Sequence, residues 1–114
     1  MQPPPLKLVV VIASDADADR LMRRLVERGY PATKIGSTGG FLRRGNATIL
    51  SGVEASEIDD VLATVRAECR ARTERVPVQA LPLFGEGTVL SEPLEIRVGG
   101  AIVFVLPVER FEKT

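Results

Sequence analysis

The 114-residue chain has no histidine, no tryptophan and a single cysteine. Without histidine, a Ser-His-Asp triad, a Cys-His dyad, an imidazole metal site and a phosphohistidine carrier are all excluded. One cysteine closes no internal disulfide and supplies no thiolate zinc site. Net charge is missing too: fifteen Lys and Arg balance fifteen Asp and Glu. That removes the usual electrostatic case for a DNA or anionic-membrane partner, leaving at most a local patch. No apolar run approaches the ~18 residues that a bilayer requires; the longest are 8–13 and 101–106. The start, Met1-Gln2-Pro3-Pro4-Pro5, has no basic side chain, and the apolar run after it breaks at Ser14-Asp15-Ala16-Asp17, unlike a secretory signal. What is present, 45% hydrophobic and 26% charged residues, is the profile of one soluble globular domain. The expectation is a cytoplasmic, non-enzymatic binding protein with no metal and no cofactor.

Residues 1–6 read as a disordered proline-rich tail, a solvated tail being the commoner use of such a stretch than a polyproline recognition motif. Residues 7–114 read as a single domain. Residues 7–13 are β-branched and continuously apolar, as in a buried central strand. Ser14, three residues before Asp17, opens a capping-box-like helix start. Ala18, Leu21, Met22, Leu25 and Val26 form the helical stripe, and Gly29 ends it. Residues 32–36 and 47–53 read as strands joined through Ser37-Thr38-Gly39-Gly40 and Arg44-Gly45-Asn46. Ser56 before Asp59 suggests a second helix start, and Ile58, Val61, Leu62, Val65 and Cys69 share one helix face. Residues 70–93, punctuated by Pro77, Pro82, Gly85, Gly87 and Pro93, read as a long loop with a strand near 76–81. Residues 94–98 alternate as a half-buried strand, Gly99-Gly100 reads as a two-residue hairpin turn, and 101–108 return as a buried strand. The order is the βαββαβ, ferredoxin-like plan: an α+β sandwich with an antiparallel sheet and two helices on one face. The other sheet face is apolar as well, and a chain of this size often covers such a face by oligomerising.

Several stretches invite chemistry. Asp15-Ala16-Asp17-Ala18-Asp19 imitates a calcium loop but has Arg20 and Val26 where Gly and Glu belong; acidic residues in a first helical turn have an ordinary use in complementing the helix dipole. Cys69 lies on an apolar stripe, as a core thiol does. Arg70, Arg72 and Arg75 are ordinary cations at a helix C-terminus, or a phosphate cluster. Gly36-Ser37-Thr38-Gly39-Gly40 is a plain turn or a backbone cradle for a ligand, and no Lys-Ser or Lys-Thr follows to make it a P-loop. Phe41 offers a stacking face for a base, and the Asn46 amide can pair with an adenine edge.

Ala32-Thr33-Lys34, Ser37-Thr38-Gly39-Gly40-Phe41-Leu42, Gly45-Asn46 and Val98-Gly99-Gly100-Ala101, continuing to Val103-Phe104-Val105-Leu106-Pro107-Val108, resemble the PII-like cyclic-di-AMP receptor family. The resemblance runs from about Lys7 to Phe111. It implies a PII-like homotrimer binding three cyclic-di-AMP molecules between subunits, with loops that relay the signal to an unidentified protein partner. It places Thr33 and Gly40 along the pocket, Phe41 and Leu42 against a base, and Asn46 and Gly52 at adenine. The chain departs from the family's wording at Pro31, where relatives often carry a basic residue. It departs again in the 70–93 loop and at its end, Phe111-Glu112-Lys113-Thr114. The alternative reading is a PII-like trimer that binds another nucleotide or serves as a protein-interaction module.

Overall fold

The computed structural model describes residues 6–36, 45–76 and 94–114, with backbone alone at 74–76 and 94–98. The elements run β1 (Leu6–Ser14), α1 (Asp15–Glu27), β2 (Thr33–Gly36), β3 (Asn46–Glu54), a 3-10 turn (Ala55–Glu57), α2 (Ile58–Glu68), β4 (Arg72–Val76), β5 (Leu94–Val98) and β6 (Ala101–Pro107). Four strands form one antiparallel sheet in the order β2-β3-β1-β6, and β4 pairs β5 as a separate two-stranded ribbon. The four-stranded sheet with two helices is the expected α+β architecture and is consistent with a ferredoxin-like plan.

Local chemistry explains the elements. The Asp17 amide donates to Ser14 Oγ at 3.3 Å, so Ser14 caps α1 as its spacing predicts. At the other end the Gly29 amide donates to the Val26 carbonyl at 3.0 Å and the Tyr30 amide to the Leu25 carbonyl at 2.9 Å. This is a Schellman closure, and it requires the positive φ of 87° that Gly29 adopts. The start of α2 differs from expectation. Glu54 and Glu57 form the capping box, ahead of the Ser56–Asp59 pair that the spacing suggests. A carboxylate performs the same exchange with a backbone amide as a hydroxyl does.

The alternation in β1 and β3 decides the layers. Val9, Val11 and Ala13 pair with Ser51, Ile49 and Ala47, and all six face the helices in full burial. Leu21 and Leu25 of α1, with Val61 and Val65 of α2, complete that core. Each fully buried Leu adds roughly 1.5–3 kcal/mol by the area it removes from water. Leu8, Val10, Ile12 and Leu50 point the other way and are only half-buried. Across from them Ile102, Phe104 and Leu106 of β6 stay 58%, 46% and 46% exposed. Residues 101–108 are therefore not a buried strand in the single chain, because β6 lies at a sheet edge and nothing among the described residues covers its outer face.

Three further readings are corrected. Gly99-Gly100 does not close a hairpin: β5 pairs β4, whereas β6 pairs β1, so the two glycines turn a corner between sheets. Their φ values of 80° and 86° are nonetheless positive, as the sequence requires. A strand, β4, forms at Arg72–Val76 where the sequence reads as loop, and it places Arg72 and Arg75 in a strand and not at a helix end; the strand expected near 76–81 lies, from 77 onward, outside the described residues. β1 starts at Leu6, inside the stretch read as tail. The tail residues 1–5 and the remainder of the long loop, 77–93, lie outside the described residues.

Candidate functional site

Three of the six candidate binding residues are described, and all three occupy the open sheet face. Thr33 pairs with Leu50, so it shares a face with Leu50 and hence with Gly52 and Asn46, the even-numbered positions of β3. Gly40, Phe41 and Leu42 lie outside the described residues. The flanking residues Gly36 and Gly45 sit at the Asn46 end of β3, Gly36 being paired with Ala47.

The open face carries two clefts. The first, of about 550 Å³, brings Thr33 and Gly52 together with Pro31, Leu8, Leu50 and Phe111. Among the described residues its lining is apolar apart from the Thr33 hydroxyl and the local backbone. Its wall is fixed from behind, since the Ser51 hydroxyl donates to the Pro31 carbonyl at 2.7 Å from the buried side of β3. Gly52 has open space where a Cβ would stand, so its backbone is accessible from the cleft. Phe111, 72% exposed, is an aromatic that the sequence reading did not assign to the site. It follows the last strand without periodicity, and its unburied ring in a chain of only four Phe was the signal available.

The second cleft, of about 430 Å³, holds Asn46 with Ser14, Ile12, Gly99, Gly100 and Ala101. Asn46 and Gly52 are six residues apart on one strand, or about 20 Å at strand rise. One nucleobase therefore does not touch both in the same chain. The turn before Asn46 is made by Gly45, which has φ 90°, while Asn46 itself is extended and paired with Ser14. The amide side chain is thus not needed to shape the turn. Such an amide donates and accepts in one plane.

The charged groups nearby have other work. Lys34 lies on the helix side of β2, 2.7 Å from Asp19 and 3.9 Å from Asp15. Its hydrogen bond with Asp19 raises the Lys34 pKa and lowers that of Asp19. Asp17 points inward to Arg20 and Arg72. The three aspartates therefore diverge onto cations already supplied by the protein. Cys69 is buried in the core, where burial foremost, and then the Asp17 charge, push its thiol up to about 11. No described helix is long and apolar enough to cross a membrane.

The comparisons with known proteins follow the same outline. A crystal structure of a functionally unknown protein from Pediococcus pentosaceus aligns with TM-score 0.77 at 33% identity, covering 98% of this chain and 100% of that one. The cyclic-di-AMP receptor family matches residues 6–114, a span that takes in both clefts and every candidate binding residue. With β1 through β6 all inside that match, the chain belongs to the cyclic-di-AMP receptor family.

Proposed function

We propose that this chain is a non-enzymatic receptor that binds cyclic-di-AMP in clefts between the subunits of a PII-like homotrimer and relays occupancy through its loops to a protein partner. The observation that carries the reading is the shared face: Thr33, Asn46 and Gly52 all lie on the apolar side of the sheet that the helices leave open. A second subunit laid on that face turns two shallow clefts into enclosed ones. A ligand with two adenines also suits two polar reading points about 20 Å apart on a strand, because each adenine then has its own station or a neighbouring chain supplies the second. Thr33 and the exposed Gly52 backbone supply polar contacts in the first cleft, and Leu8, Leu50 and Phe111 its apolar walls. Asn46 reads an adenine edge, with Gly40, Phe41 and Leu42 contributing from the adjoining segment. The ligand shifts the loops only through its different affinity for their two states.

The test is calorimetric titration of the purified chain with cyclic-di-AMP, cyclic-di-GMP, AMP and ATP. The expected result is saturable heat with cyclic-di-AMP at one ligand per chain and much weaker binding of the others. Equal binding of all four, or of none, overturns the reading and leaves an interaction module or a sensor of another nucleotide.

A further inference from the structure

Asp17 is the one fully buried carboxylate among the described residues, and the reading above gives it no task. Its Oδ1 is held by Arg20 and lies 3.6 Å from Arg72 Nη2, while its Oδ2 has no hydrogen-bond partner among the described residues. A buried carboxylate with half its acceptor capacity unmet depends strongly on its neighbouring cations. Arg20 belongs to the same helix and reaches across to the Glu68 carbonyl at 3.5 Å. Arg72 does not: it is the first residue of β4, so the ribbon supplies a cation to the core.

The return strand meets the same point. Arg72 Nη1 donates to the Arg70 carbonyl at 3.1 Å. Gly99 sits directly over this pair: a Cβ there would overlap the Arg70 carbonyl oxygen and come within 2.7 Å of Arg72 Nη1. Both ends of the ribbon are thus pinned at one place. Gly99 and Gly100 are in turn a wall of the cleft that holds Asn46 and Ser14, and Ser14 caps the helix that carries Asp17.

We infer that Arg72 and Asp17 form a latch at the root of the β4–β5 ribbon, and that occupancy of the Asn46 cleft reaches the ribbon through it. An occupant seated against Asn46 holds the Gly99–Gly100 corner onto Arg72 and so favours the latched ribbon. Arg72 is a positioning residue here, half-exposed and outside both clefts. The coupling half of the inference rests on the proposed ligand; the latch does not.

Amide hydrogen exchange on the full chain and on Arg72→Gln, each with and without cyclic-di-AMP, tests both halves. Without ligand, Arg72→Gln is expected to speed exchange in β4 and β5 about tenfold and leave β1 and β3 unchanged. Equal exchange in the two proteins overturns the latch. With ligand, the native ribbon slows by about tenfold. Arg72→Gln is expected to bind cyclic-di-AMP within about threefold of the native chain, by calorimetry, while its ribbon no longer responds. A ribbon that still responds in Arg72→Gln overturns the coupling. A native chain that gives no heat with cyclic-di-AMP refutes the ligand, and the coupling with it, while the ligand-free comparison still judges the latch. Arg72→Lys, which restores the charge beside Asp17, should recover slow ribbon exchange; if it behaves as Arg72→Gln does, charge is not the link and the latch falls.

Discussion

Two glycines that line the clefts make opposite demands. At Gly52 an added Cβ meets nothing within 4 Å and the backbone is not left-handed. Gly52→Ala should therefore leave the melting temperature unchanged, and any loss of cyclic-di-AMP affinity in it reports the ligand's approach to that backbone. At Gly99 the φ of 80° and the Arg70 carbonyl leave no room. Gly99→Ala is expected to cost about 1–3 kcal/mol, the range for a strained backbone position, read as an earlier chemical-denaturation midpoint. Asn46 separates side-chain reading from turn-making, because Gly45 makes the turn. Asn46→Ala and Asn46→Gly should each weaken cyclic-di-AMP about tenfold to a hundredfold, the value of a lost bidentate base contact. Full affinity in Asn46→Gly would remove Asn46 from the site. Pro31 lines the first cleft with its carbonyl already engaged by Ser51. Pro31→Arg keeps that carbonyl and adds a cation at the rim, so binding should tighten and become more dependent on salt. The positive φ of Gly99 was legible in the sequence; its clash partner was not, because Arg70 is brought there by a strand pairing that no local motif encodes.

At the scale of elements, a partly buried triad helps tie the two helices. The Tyr30 hydroxyl donates to Asp60 Oδ2 at 2.5 Å, and Arg28 Nε and Nη2 reach Asp60 at 3.2 and 2.5 Å. The Tyr30 hydrogen bond foremost, and then that from Arg28, hold the Asp60 carboxyl below its usual 3.8. A lowered folded-state pKa stabilises the fold above the unfolded value, and the benefit is lost as pH falls through the folded one. The native chain should therefore lose stability relative to Asp60→Asn as pH drops below about 4, with the two converging at lower pH. Parallel curves from pH 7 to 2 would remove the triad from the acid response. Element types were legible where periodicity and caps agree, as in α1, β1 and β3. β4 went unread because Arg-Thr-Glu-Arg-Val has no apolar alternation; it is extended by pairing with β5, a tertiary cause. The hairpin at Gly99-Gly100 failed for the same reason: turn chemistry fixes backbone angles, not which strand comes alongside.

For the whole molecule, the asymmetry of the sheet is the governing fact. One face is sealed by helices, and the other presents Ile102, Phe104 and Leu106 beside both clefts. Under the proposed assembly, sedimentation velocity at micromolar concentration should give a trimer. Phe104→Glu should give a monomer that retains the far-ultraviolet dichroism of the fold but loses cyclic-di-AMP affinity, since each cleft would lack its second wall. A Phe104→Glu monomer with native affinity would place the complete site within one chain. The need for cover was readable from apolar residues at successive positions of β1, because a strand apolar on both faces must be buried on both. The number of subunits is not written in that pattern.

The position of β6 has a consequence for the lifetime of the protein. Residues 101–106, Ala-Ile-Val-Phe-Val-Leu, are uncharged, strongly β-forming and free of proline, and they sit on an open sheet edge. Such a stretch is a template for strand addition by other chains. Under the proposed assembly, a dissociated subunit is then a seed for fibrils as well as a receptor without complete clefts. Warming dilute protein should produce scan-rate-dependent, irreversible loss with thioflavin-positive product, and saturating cyclic-di-AMP should delay it by holding subunits together. Longevity would then be set by how often a subunit escapes, a kinetic quantity, and the second messenger would act as a preservative of its own sensor.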